Sequence, residues 1–161
     1  MSAVVVRRVR DEADLAAAFA LRTEVFVLEQ HVPAEEELDA ADRSPTTVHV
    51  VAERDGAVVG TGRLLTDPQH PGEVHVGRVA VAREARGGGV GEAVMSALEV
   101  IALAEHGAAG PDGARRVRVE LSAQEGAVGF YRRLGYTIDG ERRYLDAGIW
   151  HRDAVKVLTA P

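Results

Sequence analysis

The chain has 161 residues, 46% of them hydrophobic and 27% charged, a balance that suits one soluble globular domain over residues 1–161. It contains no cysteine, which excludes disulfides, cysteine-ligated metals and an acyl-cysteine intermediate. The formal charge of −6 is uneven: residues 1–80 carry 8 Lys/Arg against 14 Asp/Glu, whereas residues 81–161 carry 11 of each, a distribution without the basic stripe of a nucleic-acid binder. Residues 3–8 read as a first strand. Residues 11–24 read as a helix with Leu15, Phe19, Arg22 and Phe26 near one face, a pattern that carries it on to about Leu28. Residues 29–45 form a polar connection containing Pro33 and Pro45, and its acidic stretch 35–42 is expected to be a solvated loop.

Residues 47–53 alternate like a strand, Asp55-Gly56 signals a hairpin, and residues 57–65 return as the partner strand. Pro68 and Pro71-Gly72 mark a loop before a central strand at 73–81. A long amphipathic helix comes next, with Val90, Val94, Leu98, Ile101 and Ala102 on one stripe, ending near Gly107. After a Gly/Pro loop at 108–114 come a strand at 117–121, a short helix at 127–134, and strands at 137–143 and 149–158. No apolar run approaches ~18 residues and no signal-peptide core opens the chain, so no membrane contact and a cytoplasmic address are expected. The six histidines are scattered without ligand spacing, and no metal is expected.

Between the central strand and the long helix stands Arg86-Gly87-Gly88-Gly89-Val90-Gly91. Its glycines let backbone N–H groups converge without Cβ interference, and the helix N-terminus behind them carries partial positive charge. No Ser, Thr, Asp or Asn caps that helix, so its first N–H groups are left for another acceptor. The pattern predicts a phosphate or pyrophosphate site, with a plain glycine-rich turn as the alternative. A P-loop needs Gly-Lys-Ser/Thr where Val90-Gly91-Glu92 stands, and Glu92 would repel the pyrophosphate of a dinucleotide fingerprint.

The spacing Arg-x-x-Gly-x-Gly resembles the coenzyme A pyrophosphate loop of the GCN5-related N-acetyltransferases. Downstream, Gln124-Glu125-Gly126-Ala127-Val128-Gly129-Phe130-Tyr131-Arg132-Arg133-Leu134-Gly135-Tyr136 resembles that superfamily's Asn-x-x-Ala-x-x-Phe-Tyr-x-x-x-Gly-Phe, with Gln124 in the Asn place and Tyr136 in the Phe place. The segments Leu21–Gln30, Glu35–Asp39 and Asp146–His151 look like the ElaA-like branch, where the last commonly reads Gly-Ile-Pro-His; here Trp150 takes the Pro place. The resemblance covers nearly the whole chain. It implies an α/β class with the acyl-CoA N-acyltransferase fold, a central mixed sheet flanked by helices.

It also implies acetyl-CoA as co-substrate, held at its pyrophosphate by Arg86, Gly87, Gly88, Gly89, Val90 and Gly91. The pantetheine arm would pair with the backbone of Val79, Ala80 and Val81, where one N–H polarises the thioester carbonyl. Gln124 falls among the cofactor-binding positions, and Tyr131 is the family's general acid for the departing thiolate. His75, on the central strand where some relatives carry a catalytic Glu, is the candidate base, with Glu29, Glu120 and His151 as competitors. Period-two alternation puts His75, Gly77 and Val79 on one side of that strand. Arg22, Glu29 and His151 are candidate acceptor-binding residues; Arg22 binds a substrate carboxylate or pairs with Glu29, and the acidic stretch offers a lip for a cationic amine. The expected acceptor is a small-molecule or peptidyl amine. An exposed sheet edge at the C-terminal strands allows a homodimer. The rival readings are a non-catalytic acyl-CoA-binding module and a longer-chain acyltransferase, the latter from a likeness of Arg22-x-x-Val25-Phe26 to acyl-homoserine-lactone synthases. A nucleotide-dependent dehydrogenase ranks last.

Overall fold

The computed structural model describes residues 2–160. Alternating apolar and polar residues in the N-terminal half fold into antiparallel strands β1 (Val5–Arg8), β2 (Val48–Arg54) and β3 (Ala57–Thr66). Asp55 and Gly56 close the β2–β3 hairpin at φ of 52° and 79°, the left-handed geometry of a tight two-residue turn. Strand β4 (Glu73–Val81) runs parallel to β6 (Arg115–Gln124), which carries the short β5 (Ala108–Ala109) on one side. β7 (Thr137–Ile138) and β8 (Tyr144–Asp146) both pair with the long β9 (Ile149–Ala160), itself antiparallel to β6. The mixed sheet has the order β1-β2-β3-β4-β6-β9-β7. Helices α1 (Glu12–Arg22), α2 (Ala34–Glu37), α3 (Val90–His106) and α4 (Val128–Arg133) accompany it. Among the described residues no helix is long and apolar enough to cross a membrane.

The chain forms two compact units, residues up to 65 with 78–98, and residues 66–77 with those from 99 onward. In the first, Asp11 caps α1 by accepting a hydrogen bond from the Asp14 N–H at 2.8 Å. Beyond Arg22 the helix does run on, but in π register over Thr23–Glu29, with the Gln30 N–H donating to Val25 O at 3.2 Å. The buried stripe is therefore Leu15, Ala18, Leu21, Arg22 and Val25, and Phe19 and Phe26 stay half-buried beside it. α3 lies so close to β3 that only glycine fits beneath it. A Cβ on Gly60 would stand 2.7 Å from Val90 Cγ1, and one on Gly62 2.9 Å from both Val94 Cγ1 and Leu98 Cδ1. This contact fixes the start of α3, and with it the glycine loop.

In the second unit β6 buries Val117, Val119, Leu121 and Ala123 and turns Arg118, Glu120, Ser122 and Gln124 to the wetter face. The strand expected at 137–143 stops at Ile138. Asp139 ends it by accepting hydrogen bonds from the N–H groups of Glu141 (2.9 Å) and Arg142 (3.2 Å), a side-chain turn that outcompetes the ladder.

Candidate active site

In the first unit β4 leads through Ala82 and a 3₁₀ turn at Arg83–Ala85 into the glycine loop. Gly87 and Gly89 both have φ of 82°, a conformation that side chains resist, and a Cβ on either would meet nothing within 4 Å. Residues 86–89 are exposed, while Val90 is buried and anchors α3 against β3. The loop is thus an open backbone surface at the positive end of a 17-residue helix. Two guanidinium groups accompany it. Arg86 donates through Nε to Val81 O and through Nη2 to Glu29, each at 3.0 Å. Arg54 was not legible as a loop neighbour, because it comes from the β2–β3 hairpin; its Nη2 lies 3.5 Å from where a Gly88 Cβ would stand.

Val79 and Val81 are half-buried and Ala80 is buried. Just before them Arg78 adopts φ of 53° inside the strand, so the alternation that aligned His75 and Gly77 with Val79 is interrupted at Arg78. Its guanidinium reaches the C-terminal end of α2 and Asp39 just beyond it. Nε donates to Glu37 O at 3.1 Å and lies 3.2 Å from Glu37 Oε1, and Nη2 lies 3.3 Å from Glu36 O and 3.4 Å from Asp39 Oδ2.

The acidic stretch is not a solvated loop. It folds as α2 and a 3₁₀ turn at Ala40–Arg43, held by a reciprocal capping box between Asp39 and Asp42. Glu37 and Asp42 point inward and meet Arg22, which is 1% exposed: Nε donates to Glu37 Oε1 (2.9 Å), Nη1 to Asp42 Oδ1 (2.7 Å) and Nη2 to Glu37 O (2.9 Å). Arg63 bridges Asp42 and Asp39 at 2.8 Å each. Arg22 is thereby sealed in an ionic core, paired with Glu37 and Asp42 rather than with Glu29. Burial pushes the Asp42 carboxyl up, but the hydrogen bonds from Arg22, the Asp39 N–H and Arg63 outweigh it and hold it well below the carboxylate range. His49, buried against Asp42 O at 2.9 Å, is pushed down by burial.

In the second unit His75 is exposed on β4, in register with Glu120 of β6, whose carboxylate accepts from Arg118 Nε at 2.6 Å. Gln124 and His151 are direct partners across β6 and β9. The His151 Nδ1 lies 2.7 Å from Ile149 O, a contact that only a protonated Nδ1 can make, which leaves the lone pair on Nε2 in the neutral ring. The ring stacks on Tyr144 (6.0 Å, 18° between planes), and the Tyr144 hydroxyl is held by Ser122 and, at 2.7 Å, by Asp153. Tyr131, on α4, is buried among Phe130 and Tyr136, and burial pushes its phenol up to about 12. The hydroxyl therefore keeps its proton throughout the neutral range. The structure brings together Glu29 with Arg86 and the loop in one unit, and Gln124 with His151 in the other.

A mixed sheet carrying a glycine loop ahead of one helix and a buried tyrosine on a later short helix is the architecture of acyl-CoA-dependent acyltransferases. Comparison with known proteins agrees. The family model for the acetyltransferase (GNAT) family matches residues 15–136. An uncharacterized N-acetyltransferase of Bacillus subtilis, YjcF, is 38% identical over 156 residues, which cover 97% of this chain and 99% of the relative. Crystal structures of an acyl-CoA N-acyltransferase from Pseudomonas aeruginosa (31% identity, TM-score 0.77, 97% of this chain and 99% of that one) and of Escherichia coli ElaA (27%, TM-score 0.74, 96% and 99%) share the fold. The chain belongs to the acetyltransferase (GNAT) family, in its ElaA-like branch, and is an acyltransferase.

Proposed function

We propose that the chain transfers an acetyl group from acetyl-CoA to a primary amine of a small molecule or peptide by direct attack, without a covalent enzyme intermediate. The observation that carries this is the glycine loop: two left-handed glycines opening onto free space at the start of α3, flanked by Arg54 and Arg86. That surface suits a pyrophosphate, which accepts from backbone N–H groups and balances the cations. The residues fit the co-substrate because the loop backbone projects no side chain into the space it faces.

Chemically, the neutral amine attacks the thioester carbonyl carbon, whose oxygen is polarised by a backbone N–H at Val79 or Ala80. The C–S bond breaks as the C–N bond forms, and the thiolate takes the Tyr131 proton, which Tyr131 then regains from solvent. The proton lost by the amine goes to His75, directly or through water. Glu29 and His151 contribute to binding the acceptor. Calorimetric titration with acetyl-CoA, with NADH as control, tests the donor. Micromolar binding of acetyl-CoA that disappears in Gly89→Glu is expected, whereas binding of NADH alone would sink the assignment.

A further inference from the structure

The helix α4 has only six residues, too few to hold a side chain by intrinsic helix stability. Its C-terminus is closed instead by Gly135, at φ of 93°. The Gly135 N–H donates to Arg132 O and the Tyr136 N–H donates to Tyr131 O, both at 3.0 Å. These two bonds make a Schellman closure, in which the residue after the glycine packs against the residue five positions earlier. Here those residues are Tyr136 and Tyr131. Their rings meet edge-on, 5.7 Å apart and 74° between planes.

A phenylalanine, the usual residue of the resembled motif, would supply that packing. The hydroxyl of Tyr136 does something more: it donates to Glu99 Oε2, on α3, at 2.9 Å. The other oxygen of Glu99 accepts from Lys156 Nζ, on β9, at 2.9 Å. Lys156, the single lysine of the chain, also donates to Leu134 O at 2.7 Å and stands 5.5 Å from the Tyr136 ring centroid. A compact ammonium with three donors can serve a carboxylate, a helix-end carbonyl and a ring face at once. A Cβ on Gly135 would lie 3.4 Å from Lys156 Cε, so the glycine serves both the turn and the close approach of the lysine.

Resting on the assignment of Tyr131 as the acid, the geometry points to Tyr136 as a positioning residue: tethered through its hydroxyl to Glu99 and Lys156, it fixes the Tyr131 ring through the Schellman contact. The proton donor is set by an ion pair that joins α3 to β9, and the hydroxyl at position 136 is the link.

The chain has three tyrosines, so ¹³Cζ-tyrosine labelling of the whole protein gives three NMR resonances, and that of Tyr131 can be followed as it titrates. In Tyr136→Phe and in Glu99→Ala, the Tyr131 resonance is expected to move and its titration to fall by about a unit or more toward the ordinary phenol value of ~10, as the ring loosens and hydrates. With acetyl-CoA as donor and butylamine as the amine probe, thiol release by Tyr136→Phe is expected to slow roughly five- to fiftyfold in kcat, with KM for acetyl-CoA unchanged. Added to Tyr131→Phe, the Tyr136→Phe change should slow nothing further, because both act through one hydroxyl. A Tyr131 resonance and titration unmoved in both variants overturns the positioning role. Wild-type kcat in Tyr131→Phe overturns the acid instead, and the NMR result then still decides whether Tyr136 holds the ring.

Discussion

Arg86 Nη2 lies 3.0 Å from both carboxylate oxygens of Glu29, so the first side chain of the glycine loop is tied to the last residue of the π-helical turn after α1. A π turn offsets a residue from its α-helical face, and here it brings Glu29 to the loop. The pair joins a residue assigned to the donor to one assigned to the acceptor. Glu29 also cancels part of the positive charge offered to a pyrophosphate, while the Arg86 bond to Val81 O keeps the guanidinium in place without it. Glu29→Gln is therefore expected to tighten acetyl-CoA binding about two- to fivefold, and to raise KM for a cationic amine. Calorimetry and steady-state kinetics on the same variant check both; weaker donor binding would mean that Glu29 orients Arg86 rather than opposing it.

The positive φ of Arg78 should separate two truncations at that position. A left-handed φ costs an L-residue roughly 1–2 kcal/mol, and glycine almost nothing. Both Arg78→Ala and Arg78→Gly lose the contacts with Glu36, Glu37 and Asp39, but only glycine relieves the backbone. Arg78→Gly is expected to be more stable than Arg78→Ala by about 1 kcal/mol, despite the usual cost of glycine in a strand. Urea unfolding of the pair measures it. Alanine equal to or better than glycine would mean that the strand relaxes at this position.

The hairpin at Asp55-Gly56, the central strand at 73–81 and the long helix were legible because each rests on a local rule: turn chemistry, alternation or a 3.6-residue stripe. The glycine loop was legible for the same reason. What escaped depends on partners distant in sequence. Glu37 and Asp42 look like surface carboxylates until Arg22 and Arg63 are known to sit behind them. Arg78 carries no glycine signal for its positive φ, since its anchor lies 41 positions upstream at Glu37. Gly60 and Gly62 read as weak strand residues, and only the approach of α3 shows why nothing larger fits. The strand expected at 137–143 failed on one local competitor, the Asp139 side chain.

The ionic core should give stability a two-step dependence on pH. His49 has its folded pKa lowered by burial, so it is held neutral and the native state binds fewer protons than the unfolded chain. Its contribution is full above the unfolded value of ~6.5 and is lost as pH falls through the lowered folded value. Asp42 also has its folded pKa depressed, so its contribution is present above ~3.9 and is lost only in stronger acid. His70 has the opposite sign beside Asp67, but it is exposed and solvent screens it. Denaturant midpoints are expected to drop first below about pH 6.5. His49→Gln should flatten that first step and leave the acid step. Arg22→Met, which removes the buried partner shared by Glu37 and Asp42 and leaves them Arg78 and Arg63, should cost about 3 kcal/mol at neutral pH. A His49→Gln curve that superimposes on the wild type would place the first step elsewhere.

Arg54 is the least expected member of the loop's surroundings. Its Nε is spent on Ser2 O at 3.1 Å, which aims the rest of the guanidinium; Nη2 lies 3.5 Å from the space above Gly88. A guanidinium at that spot is a charge-assisted donor to a phosphate on the loop, and such a bond is worth about 1.5–3 kcal/mol. Arg54→Gln is therefore expected to weaken acetyl-CoA binding roughly ten- to hundredfold, with a larger loss at low salt than at high salt because screening already weakens the wild-type contact. Gly88→Ala makes a useful companion, since its methyl group would sit in ordinary contact with Arg54 and leave the charge in place. It should bind nearly as well as the wild type. Titrating both variants with acetyl-CoA and with inorganic pyrophosphate separates the possible contacts. A loss for both ligands puts Arg54 on the pyrophosphate, a loss for acetyl-CoA alone puts it on another phosphate of the co-substrate, and no loss for either removes it from the site.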